Sequence, residues 1–283
     1  MAKIALVTDS TSYIPAELVQ RYQITVVPQV LIWGSETFQD GVDIQPDEFY
    51  ARLKTATVMP STSQATVATF MHIFQGLLDQ DYQILAILVS DKLSGTINSA
   101  MQAIDHLPAG APIEVVDSQS TAMALGFQLL AVARALEQGA SLPEAVALAH
   151  QAIAHTGVVL TVETLEFLHR GGRIGTGSRF LGTALNIKPI LEVRDGRIEA
   201  VERVRTRSKS LNRLVELVEA QIGGRTPVRL AALHANAEAD ARLLLDEACA
   251  RMHVDESLLS IVSPVVGTHA GPGTVGLAYM AGL

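Results

Sequence analysis

The chain has little of the chemistry that marks secreted or membrane-spanning proteins. Its 283 residues include one cysteine, Cys249, so no internal disulfide can form, and its helical surroundings predict a buried structural thiol. Charged residues make up 18% of the chain, yet no window approaches the ~18 uninterrupted apolar residues that a membrane-spanning helix needs. The apolar run at residues 4–7 is too short for the ~7–15-residue core of a secretory signal. We therefore expect a globular, cytoplasmic protein without stable membrane insertion.

Motifs for nucleotides and metals are also missing. The sequence has no strand-linked Gly-x-Gly-x-x-Gly, no Gly-x4-Gly-Lys-Ser/Thr loop, no His-Glu-x-x-His and no Cys-x-x-Cys. The eight histidines are dispersed, and His150 and His155 stand five residues apart, which is the wrong spacing for two ligands on one helix face. We expect neither a metal nor a cofactor.

The net charge of −8 is unevenly distributed. Residues 170–213 carry eleven Lys and Arg against four Asp and Glu, a net charge of +7, whereas the rest of the chain carries −15. This basic segment fits a docking face for an acidic or phosphorylated partner, or a solvated face without a partner. Nucleic acid is not expected, because no aromatic residue interleaves with the arginines after Phe180 and the overall charge is repulsive.

Short apolar runs alternate with amphipathic segments in the first half of the chain. Strands spaced by helices in this way predict a parallel sheet that is covered on both faces. Ligands of such sheets bind beyond the carboxyl ends of the strands, where polar residues follow three of the runs. The predicted strands are residues 4–7, 24–32, 84–89 and 113–116, and the predicted helices include residues 15–22, 46–53, 67–78, 95–107 and 122–138.

The pattern changes in the second half. Asp195-Gly196 lies between the apolar runs 187–193 and 198–205, a strong signal for a β-hairpin. We therefore predict an α/β protein of two domains. Residues 1–157 would form α/β/α layers around a mainly parallel sheet, and residues 158–283 would form a two-layer α/β domain with a mixed sheet.

Three turns are rich in hydrogen-bonding groups. Ser94 lies where a strand leads into a helix, so it fits a helix cap, a donor to an oxyanion or a nucleophile, although Lys92 replaces the first glycine of a nucleophile elbow. Thr62 and Ser63 precede another helix, where capping is the default role. His269 lies among glycines, where a backbone can approach a ligand closely, although a loop histidine with ordinary partners fits the same pattern.

Seven segments, in order and spanning the whole chain, match the motifs of a known family. They are Asp9-Ser10-Thr11, Pro60-Ser61-Thr62-Ser63-Gln64, Leu93-Ser94-Gly95-Thr96, Asp117-Ser118, Leu165-Glu166-Phe167-Leu168-His169-Arg170-Gly171-Gly172-Arg173-Ile174, Ile187-Lys188-Pro189-Ile190-Leu191 and His269-Ala270-Gly271-Pro272-Gly273. On these segments the chain resembles the DegV family of bacterial fatty-acid-binding proteins.

The resemblance implies two α/β domains and one long-chain fatty acid, such as palmitate, stearate or oleate, in a buried apolar tunnel between or within them. It implies that Thr62, Ser94 and His269 hold the carboxylate, and Ser63 and Gly95 belong to the same two motifs. Binding by hydroxyls instead of arginine would avoid a contact ion pair and leave the head group available to a phosphoryl donor.

The resemblance also implies a partner, a fatty acid kinase that phosphorylates the bound acid to an acyl phosphate for phospholipid synthesis. Arg173 and Arg205 match the family's arginines that face the kinase, and both lie in the basic segment. The chain itself would then be a lipid-binding and presenting protein without catalysis of its own.

Two departures from the family pattern limit what is carried over. Ala65 stands where relatives usually have proline, and residues 122–126 read Ala-Met-Ala-Leu-Gly where relatives tend to have Ser-x-Gly-x-Gly. A ligand hydrogen bond from that serine position therefore does not transfer to this chain.

Three other functions stay open. An enzyme related to the substrate-binding subunit of dihydroxyacetone kinase would have a shallow polar pocket rather than a long apolar tunnel. An acyl hydrolase using Ser94 and His269 would need a third residue to orient the imidazole. A nucleic-acid-associated regulator would use the basic segment, and its affinity for DNA would depend on salt.

Overall fold

The strands form three sheets within residues 3–180 and 187–283, which the computed structural model describes. In chain order they are β1 (Lys3–Asp9), β2 (Thr25–Val27), β3 (Val30–Trp33), β4 (Glu36–Gln39), β5 (Ser61–Ser63), β6 (Tyr82–Leu88), β7 (Ile113–Asp117), β8 (Thr156–Thr161), β9 (Lys188–Arg194), β10 (Arg197–Val204), β11 (Val228–His234), β12 (Glu256–Ile261) and β13 (Val275–Ala281).

The helices of the same residues cover these sheets, and none of them combines the length and the apolar character needed to cross a membrane. They are α1 (Ala16–Arg21), α2 (Pro46–Leu53), α3 (Val67–Leu78), α4 (Thr96–Asp105), α5 (Ala122–Glu137), α6 (Leu142–Ile153), α7 (Glu166–Arg170), α8 (Arg207–Ile222), α9 (Glu238–Arg251) and α10 (Pro264–Ala270).

The first sheet is four-stranded and wholly parallel, in the order β2-β1-β6-β7. Its central strands β1 and β6 are buried on both faces, which explains why they read as continuous apolar runs instead of alternating ones. Helices α3 and α4 pack on one face, and α5 and α6 pack on the other. The predicted α/β/α layering is therefore confirmed.

The prediction of one strand over residues 24–32 is wrong. Pro28 has no N–H to donate to a ladder, and β2 ends just before it. The chain then leaves the parallel sheet, and β3 pairs instead with β4 and β5 in a small antiparallel sheet of order β4-β3-β5. This separate sheet carries Thr62 on its edge strand β5.

The third sheet is mixed, as predicted, and has the order β10-β9-β8-β13-β11-β12. Strands β11 and β12 are parallel, and the other neighbours are antiparallel. Helices α8 and α9 cover one face, while α5 contacts strands of this sheet as well as of the parallel sheet. The mixed sheet begins at Thr156, close to the predicted domain boundary at residue 157, but one apolar cluster joins side chains from both sides of that boundary.

Cys249 is exposed, so the prediction of a buried thiol is wrong. Helix α9 turns Ala241, Leu244 and Ala248 toward the sheet, at the i, i+3 and i+7 spacing of one helix face. Cys249 follows Ala248 and is therefore rotated by about 100° away from that face.

The predicted hairpin at Asp195-Gly196 is confirmed. It joins β9 to β10, and both turn residues have positive φ, 50° for Asp195 and 77° for Gly196, as a two-residue type I′ turn requires. The turn contacts the end of the parallel sheet, because the Ser90 hydroxyl donates to the Gly196 carbonyl at 2.9 Å. A Cβ atom on Gly196 would lie 2.3 Å from Ser90 Oγ.

We expect Gly196→Ala to destabilise the protein more than Gly34→Ala. Both glycines have positive φ, which costs alanine about 1–2 kcal/mol, but a Cβ on Gly34 meets no atom within 4 Å. The clash with Ser90 should add about 1–3 kcal/mol for Gly196→Ala. Chemical denaturation of both variants measures the difference, and equal losses would show that the Ser90 contact has no energetic weight.

Candidate functional site

An apolar cavity lies on the face of the mixed sheet opposite α8 and α9. Its empty space is about 970 Å³, including the part that is open to solvent. Side chains from the mixed sheet, from α10 and from the ends of β6 and β8 enclose it. Its apolar lining includes Val89, Leu93, Val158, Leu160, Leu168, Val193, Ile198, Leu233, Val262, Val265 and Val266.

The sheet leaves room for the cavity at Gly276. This residue of β13 lies in register between Leu233 of β11 and Leu160 of β8, and all three line the cavity. A Cβ atom on Gly276 would come within 3.2 Å of the Leu160 Cβ and the Val159 carbonyl. Because Gly276 has no side chain, β13 leaves space here between the side chains of Leu160 and Leu233.

Thr62 and His269 meet at the cavity, although 207 residues separate them. Thr62 is the middle residue of β5, so its side chain points away from the exposed Ser61 and Ser63, and its Oγ1 lies 2.7 Å from His269 Nε2. His269 lies in the last turn of α10 and not in a glycine-rich loop, which corrects that part of the prediction. The helix ends directly after it, at Ala270, and Gly271 follows with φ of 79°.

Ser94 reaches the same cavity from the turn before α4. Gly95 is the N-cap of this helix and no side chain caps it, so the capping role for Ser94 is not observed. Instead, Ser94 Oγ lies 2.8 Å from Thr96 Oγ1, which accepts a hydrogen bond of 2.8 Å from the buried amide of Gln29. Either hydroxyl can donate in this pair, and when Thr96 donates to Ser94 the Ser94 hydroxyl is free to donate into the cavity.

Gln29 also fixes the other hydroxyl-bearing turn. Its Oε1 accepts a hydrogen bond of 2.9 Å from the backbone N–H of Ala65, three residues after Thr62. Proline at position 65 would lack this N–H, so the departure from the family pattern gives Gln29 a second partner. One buried amide therefore sets the spacing between the Thr62 turn and the Ser94 turn.

Arg173 lies at the cavity as well, which the sequence did not predict. Its Nε donates to the Leu93 carbonyl at 3.0 Å and its Nη1 to the Gly171 carbonyl at 2.7 Å. Arg173, Thr62 and His269 also line a shallow surface depression with Met59, Pro60, Phe167 and Arg170. These three residues therefore mark the end of the cavity that faces the surface.

His269 is packed tightly and is neutral at pH 7. Burial lowers the pKa of its imidazole to about 4, with a smaller contribution from the positive charge of Arg173. Gly171 lies against the ring, since a Cβ atom there would be 2.0 Å from His269 Nδ1. That nitrogen is buried, and it has no hydrogen-bond partner in the part of the chain that the structure describes.

The remaining predicted residues take different positions. Ser63 is exposed but lines the cavity, and its hydroxyl lies 3.4 Å from the Gln64 carbonyl. Gly95 packs against the Gln64 side chain, since a Cβ atom on Gly95 would lie 3.1 Å from Gln64 Nε2. Arg205 is exposed beyond β10 and lies outside the cavity, and no hydrogen bond or ion pair joins it to another described residue.

Ion pairs within the described residues engage five of the basic side chains of residues 170–213. They leave Arg197, Arg205 and Lys209 as exposed cations without an ion pair among the described residues, while Arg203 and Arg179 lie over the ring of Phe180. The pairs are Arg170 with Glu166, Lys188 with Glu163, Arg194 with Glu192, Arg207 with Glu163 and Asp240, and Arg213 with Glu202 and Glu216.

Asp9 does not line the cavity itself but binds Thr11 and Val89, which do. Its carboxylate accepts from the backbone N–H and hydroxyl of Thr11 at 3.0 and 2.7 Å, and from the Val89 N–H at 2.8 Å. Burial raises the pKa of this carboxyl above its usual range. Within residues 3–180 and 187–283, no three His, Cys, Asp or Glu side chains are grouped so as to hold a metal ion.

Comparison with known proteins gives one consistent match. A family model described as "Uncharacterised protein, DegV family" matches residues 3–282. A DegV domain-containing protein of Streptomyces coelicolor is 36% identical over 281 residues, which cover 97% of each chain.

Two solved structures are similar to the whole chain. A DegV family protein from Thermus thermophilus, described by its fatty acid binding, has a TM-score of 0.93 and 34% identity, covering 99% of each chain. DegV from Bacillus subtilis, described as a fatty acid binding protein, has a TM-score of 0.89 and 30% identity, covering 99% of this chain and 100% of its own.

We expect the His269 ring to stay neutral down to about pH 5, because its folded pKa lies below the unfolded value of about 6.5. NMR titration should show a midpoint near 4, with His269→Gln assigning the signals. The depressed pKa contributes stability that is fully present above about pH 6.5 and is lost as the pH falls toward 4. The wild type should therefore lose more unfolding free energy over that interval than His269→Gln, and a midpoint near 6.5 would contradict the assignment.

Proposed function

The chain belongs to the DegV family, and we propose that it binds one long-chain fatty acid in the apolar cavity with its carboxylate at Thr62, Ser94 and His269. The observation that carries this proposal is that three neutral polar side chains, Thr62, Ser94 and His269, line one mainly apolar cavity, where Thr62 and His269 are in hydrogen-bond contact. The fatty acid binding described for the relatives from Thermus thermophilus and Bacillus subtilis supports it. Palmitate, stearate and oleate are the candidate ligands.

The acyl chain supplies the affinity. Burying an acyl chain of sixteen to eighteen carbons contributes about 12 kcal/mol before association costs, at about 0.8 kcal/mol per methylene. The aliphatic side chains that line the cavity offer few polar atoms to a guest, which favours a hydrocarbon over a sugar. This feature argues against the enzyme related to the dihydroxyacetone kinase subunit.

The carboxylate needs donors, since an unpaired anion in an apolar site is costly. With Gln29 donating to Thr96 and Thr96 donating in turn to Ser94, the Ser94 hydroxyl donates to the carboxylate. If His269 carries its proton on Nε2, it donates to Thr62, whose own hydrogen then points to the ligand. Thr62 and Ser94 therefore act as the two direct donors.

Arg173 changes one part of the sequence-based expectation. The resemblance led us to expect a head group bound by hydroxyls without a contact ion pair, and the Arg173 guanidinium lies at the cavity beside Thr62 and His269. Two of its five N–H donors are held by the Leu93 and Gly171 carbonyls, so it adds positive potential and keeps donors in reserve. In this proposal Arg173 stabilises the anion and lies at the opening as well.

We extend the proposal to a cytoplasmic partner, a fatty acid kinase that converts the bound acid to an acyl phosphate for phospholipid synthesis. The surface depression beside Thr62, Arg173 and His269 offers a route by which a phosphoryl donor reaches the carboxylate. Because the chain has no P-loop or kinase motif, the phosphoryl chemistry is assigned to the partner. The exposed Arg205 belongs to the docking face.

An acyl hydrolase is less well supported. The His269 Nε2 atom pairs with Thr62, while Ser94 pairs with Thr96, so the two residues of the supposed dyad point to different partners. The other ring nitrogen, Nδ1, has no orienting carboxylate in the described part of the chain. A triad needs both contacts.

We expect Thr62→Val and Ser94→Ala each to weaken fatty acid binding by roughly ten- to a hundredfold, because a hydrogen bond to a charged group is worth about 1.5–3 kcal/mol. Thr55→Val is the matched control, since Thr55 is exposed and is not among the described residues that line the cavity. Mass spectrometry of organic extracts tests whether lipid is present at one per chain, and titration with oleate gives Kd. Absence of fatty acid from the wild type after loading would refute the proposal.

We expect Arg205→Glu to slow phosphoryl transfer by a fatty acid kinase at least tenfold while lipid occupancy stays unchanged, because the substitution reverses an unpaired surface cation. Lys54→Glu, at an exposed position in a different part of the chain, should leave transfer unchanged. Transfer is measured as acyl phosphate formed per loaded protein. Loss of lipid from Arg205→Glu, or equal transfer by both variants, would count against the docking role.

A further inference from the structure

The mixed sheet contains a fork between β8 and β9. The two strands pair only from Val159 with Glu192 to Thr161 with Ile190. Before Val159, β8 pairs only with β13, and beyond Glu192, β9 pairs only with β10. Val158 and Val193 are therefore the first residues on either side of the gap.

A polar groove lies beyond this fork. Its empty space is about 1360 Å³, including open solvent, and most of its lining is polar. The buried Glu192 carboxylate faces it, held by Gln221 at 2.8 Å and by Arg194. The other polar residues of its lining are Ser118, Gln119, Ser120, His150, Thr156, Asp195 and Tyr279.

Val158 and Val193 separate this groove from the apolar cavity. Among the described residues that line the cavity, these two alone also line the groove. Val158 is 4% exposed and Val193 is half-buried. No backbone hydrogen bond joins β8 and β9 at this level, so the two β-branched side chains fill the gap between the strands where the cavity and the groove meet.

The wall lies away from the end of the cavity that holds the polar groups. Helix α7 and Arg173 follow the carboxyl end of β8, while His269 precedes the amino end of β13, and those two strand ends pair at Thr161 and Val275. Leu160 is the first cavity residue of β8 from that edge, and Val158 is one step further, about 7 Å along the strand. Val158 therefore lies further from the His269 edge of the sheet than Leu160 does.

We propose that Val158 and Val193 form the wall at which the acyl chain ends, and that their size sets the longest fatty acid the protein accepts. This inference rests on the proposed fatty acid binding. A longer chain would have to pass between the valines into the groove, where its methyl end would meet the Glu192 carboxylate and water. Burying each further methylene is worth about fourfold in affinity, so the wall ends that gain at one chain length.

Competition among chain lengths tests the wall. The delipidated full-length protein is loaded from an equimolar mixture of saturated acids of 12 to 22 carbons, and the bound acids are extracted and quantified. We expect Val193→Ala and Val158→Ala to raise the ratio of the 20-carbon to the 16-carbon acid roughly tenfold, since about two more methylenes become buried. Val193→Phe should shift the profile the other way, toward shorter chains.

Val159→Ala is the matched control. It removes the same atoms from the next residue of β8, but this side chain packs on the opposite face with α8 and α9. We expect it to lower the melting temperature and leave the chain-length profile unchanged. Should Val158→Ala not fold, the half-buried Val193 carries the test through its two opposite substitutions.

The outcomes separate this inference from the proposed function. A wild type that binds no fatty acid refutes the proposed function itself. If the wild type binds fatty acid and both Val193→Ala and Val193→Phe keep the wild-type chain-length profile, the wall is overturned while the proposed function stands. A shift of equal size in Val159→Ala would also overturn it, because general loosening would then explain the change.

Discussion

The side-chain amide of Gln29 ties the two hydroxyl-bearing turns of the cavity to each other. It donates to Thr96 and accepts from Ala65, so Thr62 and Ser94 are held at a fixed separation although they come from different sheets. A buried amide with both ends satisfied is stable and directional, whereas the loss of either partner would leave an unpaired polar group in an apolar interior. The arrangement of the head-group site depends on this contact.

The proposed carboxylate site combines neutral hydrogen-bonding side chains with one cation at its margin. His269 is kept neutral by burial and by Arg173, so it acts on Thr62 instead of on the anion as a charge. The guanidinium of Arg173 is fixed by two backbone carbonyls. In the proposed function, a carboxylate at this point would be stabilised by donors that do not neutralise it fully, beside the surface depression.

The sequence allowed most of the fold to be predicted, since the signals were local. Apolar runs gave the parallel strands, and Asp195-Gly196 gave the hairpin, because turn chemistry depends on adjacent residues. The meeting of Thr62, Ser94 and His269 at one cavity came from matching motifs, because no periodicity reports a contact across 207 residues. Gln29 and the position of Arg173 were missed since an isolated Gln has no signature, and a basic run does not reveal which Arg turns inward. Pro28 was the readable signal for the break after β2.

The packing of the mixed sheet determines which side of it can move to admit a wider ligand. Helices α8 and α9 fill one side of the sheet with a close-packed apolar layer, and the cavity occupies the other side. A close-packed layer has low compressibility, so the strands of the mixed sheet resist displacement toward α8 and α9. The cavity side carries the short helices α7 and α10, several turns and the first residue of α5, so a wider guest has to be accommodated by displacement of these elements and not of the α8 and α9 layer.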